Sequence, residues 1–193
     1  MSKKVLFLLI AVLTAGYAHA QVSIGARAGL NFTNLIGDRD MATFKPGFQV
    51  GAVLNGARNN VFSLEAGFLF SQMGAQAKED GDTYSLTLNY FEIPYNAKFR
   101  FEDFFVQAGL YIAFGLRIIE TEKEGGIKYS ESGSFKEYGL KDMDYGIGAG
   151  FGYHFGPIQA SLNAKISALS ILNGGNARNF GVALTATYFF ELF

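Results

Sequence analysis

The chain has 193 residues, 49% hydrophobic and 16% aromatic, with no Cys and a formal net charge of −1. That length suits a single domain, and the missing cysteines exclude disulfide staples and thiol chemistry. The slightly acidic balance disfavours nucleic-acid binding.

At the start, Lys3 and Lys4 precede an apolar run from Val5 to Ala15, and Ala18-His19-Ala20 closes the segment. A positive start, a short apolar core and an A-x-A ending predict a cleavable secretory signal over residues 1–20, cut after Ala20, with one domain over 21–193. A permanent transmembrane helix needs about 20 apolar residues, more than this run holds. Without Lys3 and Lys4, 14 Lys+Arg remain against 17 Asp+Glu, a net charge of −3.

From Val22 to Phe32 every second residue is apolar and the intervening ones are Ser, Gly, Arg or Asn, the alternation of a strand with two unlike faces. A polar connection, Thr33 to Lys45, leads to a second strand, Pro46 to Leu54, and Asn55-Gly56 opens a short turn. The third strand, Val61 to Ser71, places Phe62, Leu64, Ala66, Phe68 and Phe70 on one face. After a longer loop through Asp80-Gly81-Asp82, the fourth strand changes phase: Tyr84, Leu86, Leu88 and Tyr90 share one face, then Phe91, Ile93, Tyr95, Ala97 and Phe99 the other. A bulge near Tyr90 and Phe91 is expected, with the preceding part projecting beyond the membrane.

A tight turn at Glu102-Asp103 precedes the fifth strand, Phe104 to Arg117. Ile118 to Lys141, rich in Glu, Lys, Gly and Ser, reads as a mobile, water-exposed loop. The sixth strand, Asp144 to Phe155, puts Gly146, Gly148, Gly150 and Gly152 on one face and bulky apolar residues on the other. Glycines belong on the inside of a tightly curved sheet, so the bulky face points outward into an apolar medium. Gly156-Pro157 turns the chain into a seventh strand, and Asn173 to Asn176 lead to an eighth.

Long and short connections alternate throughout, as in outer-membrane barrels. With 17% of residues charged, roughly forty outward positions should hold about seven charges by chance and hold none. The inward phase holds Arg27, Glu65, Glu92, Lys98, Arg100, Arg117, Asp144 and Lys165. Outward aromatics gather at both strand ends, giving two interfacial girdles. The predicted fold is all-β: an eight-stranded antiparallel up-and-down transmembrane β-barrel with long outer loops and short periplasmic turns.

The runs Ser63 to Gln72 and Tyr90-Phe91-Glu92-Ile93-Pro94-Tyr95, then Asp144-Tyr145-Gly146 with its alternating glycines, resemble the PorT-type outer-membrane β-barrel proteins of Bacteroidetes, and more distantly the OmpA/OmpX-like barrels. The resemblance covers essentially residues 21–193. It implies an outer-membrane location in a Gram-negative envelope, and some relatives assist protein secretion.

Glu65 and Lys98 are expected on neighbouring strands at one depth, with Arg27 and Glu92 completing an interior charge cluster. Such a cluster fits a gate or ion path, or a structural filling of a narrow bore; the cost of an unpaired buried charge, several kcal/mol, favours the second. Catalysis is not expected: His19 falls in the signal and His154 at the short-turn end, leaving no base for an outer-loop site. No metal site or cofactor is expected either, and the glycine run lacks the spacing of a dinucleotide fingerprint. The expected role is structural or surface-binding, through the outer loops, with a protein or glycan partner besides the lipids and the barrel-assembly machinery. The alternatives are a small-solute channel and a secretion accessory factor.

Overall fold

The computed structural model describes residues 21–37, 43–57, 59–79, 82–125 and 127–190; the expected signal segment lies outside them. The described residues form nine strands: β1 (Gln21–Gly37), β2 (Lys45–Ala57), β3 (Phe62–Glu79), β4 (Asp82–Phe101), β5 (Phe104–Glu124), β6 (Ile127–Gly133), β7 (Met143–Phe155), β8 (Ile158–Ser167) and β9 (Ala177–Phe190). All pairings are antiparallel. Eight strands close a ring in the order β1-β2-β3-β4-β5-β7-β8-β9, with β9 back on β1. The ninth, β6, pairs only with the upper part of β5.

Alternation decides which way each side chain points. On β1, Arg27, Asn31 and Thr33 are buried while Val22, Ile24, Leu30 and Phe32 are exposed. The outward wall is apolar, and its rings pair across strands: Phe48 with Phe70 at 5.6 Å and Phe68 with Phe91 at 6.4 Å towards the long connections, Phe62 with Phe99 at 5.2 Å at the other end. A belt of exposed aromatics on a charge-free wall is stable only in lipid.

Glycine on β7 gives room to the rings of its neighbours. A Cβ on Gly146 would lie 2.7 Å from the Tyr111 ring, and one on Gly152 would lie 2.4 Å from that of Phe105. Both rings are buried in the bore.

The strands run further than the alternation alone suggested. β3 continues to Glu79 and pairs there with Asp82 at the start of β4, so most of the expected longer loop is strand. The expectation that Ile118 to Lys141 is a mobile open loop is overturned: its first part extends β5, its second is β6, and its third buries Phe135 and Leu140. The bulge expected on β4 near Tyr90 and Phe91 lies on β5 instead: β4 keeps its alternation, with Leu88, Tyr90 and Glu92 all buried, while Tyr90 faces Gly115 and Asn89 faces Arg117. Leu116 is the extra residue. It turns the phase of β5 over, so Arg117 leaves the inward face, is exposed, and donates from Nη2 to Ser132 Oγ at 2.6 Å. Arg100 is also exposed, and its Nε donates to the Glu102 carbonyl at the short turn, 2.6 Å away. Arg117 does not belong to the bore, whereas Arg100 lies at its short-turn mouth.

Candidate functional site

The bore is filled in layers. Nearest the short turns, a recess of ≈ 160 Å³ is lined by Asn55, Asn59, Arg100 and His154 and reaches up to Lys98 and Gln159. Above it Arg27 of β1, Glu65 of β3 and Lys98 of β4 meet, and β2 between them leaves room with Gly51 opposite Arg27. Arg27 Nη2 donates to Glu65 Oε2 at 2.9 Å and lies 2.8 Å from Oε1; Lys98 Nζ also donates to Oε2. The spare donors are used as well: Arg27 Nε on Thr187 Oγ1 and Lys98 Nζ on Gln159 Oε1, both 2.8 Å. With Glu65 only 1% exposed, the carboxylate depends on its two cations for its charge to be tolerable. The Lys98 ammonium also stands 5.0 Å from the Phe105 ring centre.

Glu92, expected in this cluster, sits one layer higher and pairs with Lys165 on β8. In the same region Gln107 Nε2 donates to Asn163 Oδ1, and Asn163 Nδ2 to Ser161 Oγ at 3.0 Å. Free space among these side chains includes a cavity of ≈ 60 Å³, room for a few waters.

Higher still, Asp144 Oδ2 accepts from Asn179 Nδ2 and Ser167 Oγ at 2.9 Å each and from the Tyr111 hydroxyl at 3.2 Å. Three donors on one buried oxygen replace the water that the carboxylate lacks. Asp144 was legible as inward; its three partners, from β5, β8 and β9, were not.

An apolar cap closes the long-connection end. Leu35, Met73, Leu88, Ile118, Phe135 and Ile171 are its main buried members, with Tyr90, Leu140 and Ala177 around them. Strand ends supply most of it, and the connections after β6 and β8 supply Phe135, Leu140 and Ile171. Phe135 packs 5.1 Å from the Tyr90 ring, and a Cβ on Gly115 would fall 2.6 Å from it. The segment carrying Phe135 is fixed by a reciprocal turn: Ser134 N donates to Glu137 Oε2 at 2.6 Å, and Glu137 N to Ser134 Oγ at 3.4 Å. The Ser134 backbone donor, first, and then its hydroxyl hold the Glu137 carboxyl below the usual carboxylate range. Lys141 N donates to the Ile171 carbonyl at 2.8 Å, tying two connections together.

Among the described residues no group of three or more His, Asp and Glu is placed to hold a metal ion, and no helix is long and apolar enough to cross a membrane. The membrane contact is made by strands. A family described as "Outer membrane protein beta-barrel domain" matches residues 17–171. The chain belongs to this outer-membrane β-barrel family. No curated protein matches it in sequence. In fold, this outer-membrane barrel is similar to Ail, the attachment invasion locus protein of Yersinia pestis, in complex with the heparin analogue sucrose octasulfate. There the TM-score is 0.53 at 16% identity, covering 88% of this chain and 99% of Ail. Ail alone gives a TM-score of 0.52 at 16% identity over 89% and 99%. Neisserial surface protein A gives 0.47 at 12% identity over 88% and 99%. The likeness to Ail is one of fold.

Proposed function

We propose that this barrel is a closed structural and surface-binding protein that acts through its outer rim. The observation carrying this reading is double closure, with a bonded polar bore beneath an apolar cap drawn from strand ends and from the connections after β6 and β8. An eight-stranded barrel has an interior only wide enough for side chains, and here side chains occupy it. The small-solute channel is therefore the weaker reading. A catalytic role finds no support in a rim without a histidine. Residues 1–20 are proposed as the export signal, removed after Ala20, so that N-terminal sequencing of the membrane-derived protein should begin at Gln21.

The PorT-like runs, Ser63 to Gln72 and Tyr90 to Tyr95, support a second reading as an accessory to a secretion machinery. These runs build the bore and the girdle rather than the rim. The two readings part in one experiment. Chemical cross-linking on intact cells compares the native protein with a variant whose Glu120–Ser132 hairpin is replaced by a tight turn, sparing Phe135 and Leu140. Loss of cross-linked partners in the variant supports rim binding; partners retained in full refute it and favour contacts made elsewhere on the barrel.

A further inference from the structure

Above the bulge, β3, β4, β5 and β6 continue past the girdle as a four-stranded sheet, and its charges are sorted by face. The inner face starts from Leu88 and Ile118 in the cap and rises through Glu120, Glu122, Glu124 and Glu131. The outer face begins where Phe91 and Phe114 give way to Asn89 and Arg117, and rises to Lys78, Lys123 and Lys128. Among the described side chains of this sheet, the outer face carries four cations and no acid. Side-chain contacts agree with this register: Thr121 Oγ1 meets Ser130 Oγ at 3.2 Å on the outer face, while inside Glu120 and Glu131 are close enough to raise the Tyr138 phenol after burial has done so.

The register opposes like charges. Lys123 stands directly across from Lys128, and Lys78 reaches the same row through Thr83. Like charges directly opposite destabilise a ladder, whereas one swap between faces would have made Lys–Glu pairs. Arrangements of this kind persist when something outside the chain compensates them.

We infer that the outer face of this sheet is a docking surface for an anionic glycolipid of the surrounding leaflet. The surface continues the lipid-facing wall without a break, so the neighbour it meets is the membrane's own outer layer. Height selects the kind of lipid. Lys123 is six residues beyond Arg117, about 20 Å along the strand and less when tilted, so a phospholipid headgroup reaches Arg117 but not the lysine row. A glycolipid with phosphate or carboxylate groups on its sugar core spans both. Each cation near such a surface is worth about 1 kcal/mol, a factor of about five.

The test is amide hydrogen exchange of residues 120–132 in nanodiscs of three kinds: neutral phosphatidylcholine, the same with phosphatidylglycerol, and the same with lipopolysaccharide bearing a phosphorylated core. Exchange is expected to slow by about fivefold or more only with the core-bearing glycolipid. The variant Lys78→Gln/Lys123→Gln/Lys128→Gln should lose the effect and Glu120→Gln/Glu131→Gln should keep it, each checked for folding by heat-modifiable gel mobility. If the lysine variant does not fold, high salt on the native protein replaces it, and protection that survives about 0.5 M salt overturns the proposal. Equal rates in all three bilayers, or equal protection by phosphatidylglycerol, also overturn it.

Discussion

Glu92 and Lys165 form an ion pair across the bore at 2.5 Å, although their strands, β4 and β8, share no backbone hydrogen bond. A contact between non-neighbouring strands means that the lumen is crossed by side chains rather than lined by them. Purified protein in planar bilayers should therefore show no stable open state. Phe135→Ala, which removes the cap's ring, should stay equally silent because the polar layers lie beneath it. Single-size conductance steps from either protein would contradict the closed bore.

The Arg27–Glu65–Lys98 triad predicts an asymmetry between single and combined changes. Glu65→Leu leaves two buried cations without their counter-charge and should cost about 3–5 kcal/mol of stability in urea unfolding from lipid vesicles. Arg27→Met/Glu65→Leu/Lys98→Met removes the charges together and should recover a large part of that loss. A triple variant no more stable than Glu65→Leu would show that the triad stabilises through more than charge balance.

The outward wall gives the third prediction. Leu184, 54% exposed, lies midway between the outward rings of Phe180 and Tyr188. Leu184→Arg should impair folding into bilayers by about 2–4 kcal/mol, whereas Glu124→Leu at the hairpin tip should change it by less than about 0.5 kcal/mol. Equal effects would mean that inside and outside have been wrongly assigned.

The reciprocal turn beneath Phe135 responds to acid. Because the folded Glu137 carboxyl titrates below the ordinary value, the turn's contribution is complete above that value and lost as pH falls through the lowered one. The Ser134 amide proton should shift in NMR spectra below about pH 4, and Glu137→Gln should abolish that transition. An unchanged amide shift in the native protein would rule the contact out.

Between the girdles the sequence showed its fold plainly, because lipid allows no charge on one side of a strand and β-geometry makes sides alternate. The switch of the apolar phase at Tyr90 and Phe91 was read as a bulge of β4, whereas β4 keeps its alternation and the bore itself turns apolar there. The bulge on β5 was hidden: Leu116 is apolar and looks outward in either phase, so Arg117 was read on the wrong face. Glu65 and Lys98 come from adjacent strands and were legible as neighbours, whereas the Glu92–Lys165 contact depends on how the ring closes. The cap was hidden most thoroughly. Phe135, Leu140 and Ile171 occur singly in polar stretches without a period, and only the converging connections make them a core.

The cap also limits how the outer surface accepts foreign sequence. Because separate connections share one core, a peptide grafted beside Leu140 or Ile171 would pry neighbouring segments apart. The turn between β5 and β6 is different: a Cβ at Gly125 would meet nothing within 4 Å. An epitope or affinity tag placed there would stand clear of the cap, which makes that hairpin tip the natural anchorage for display on a living cell.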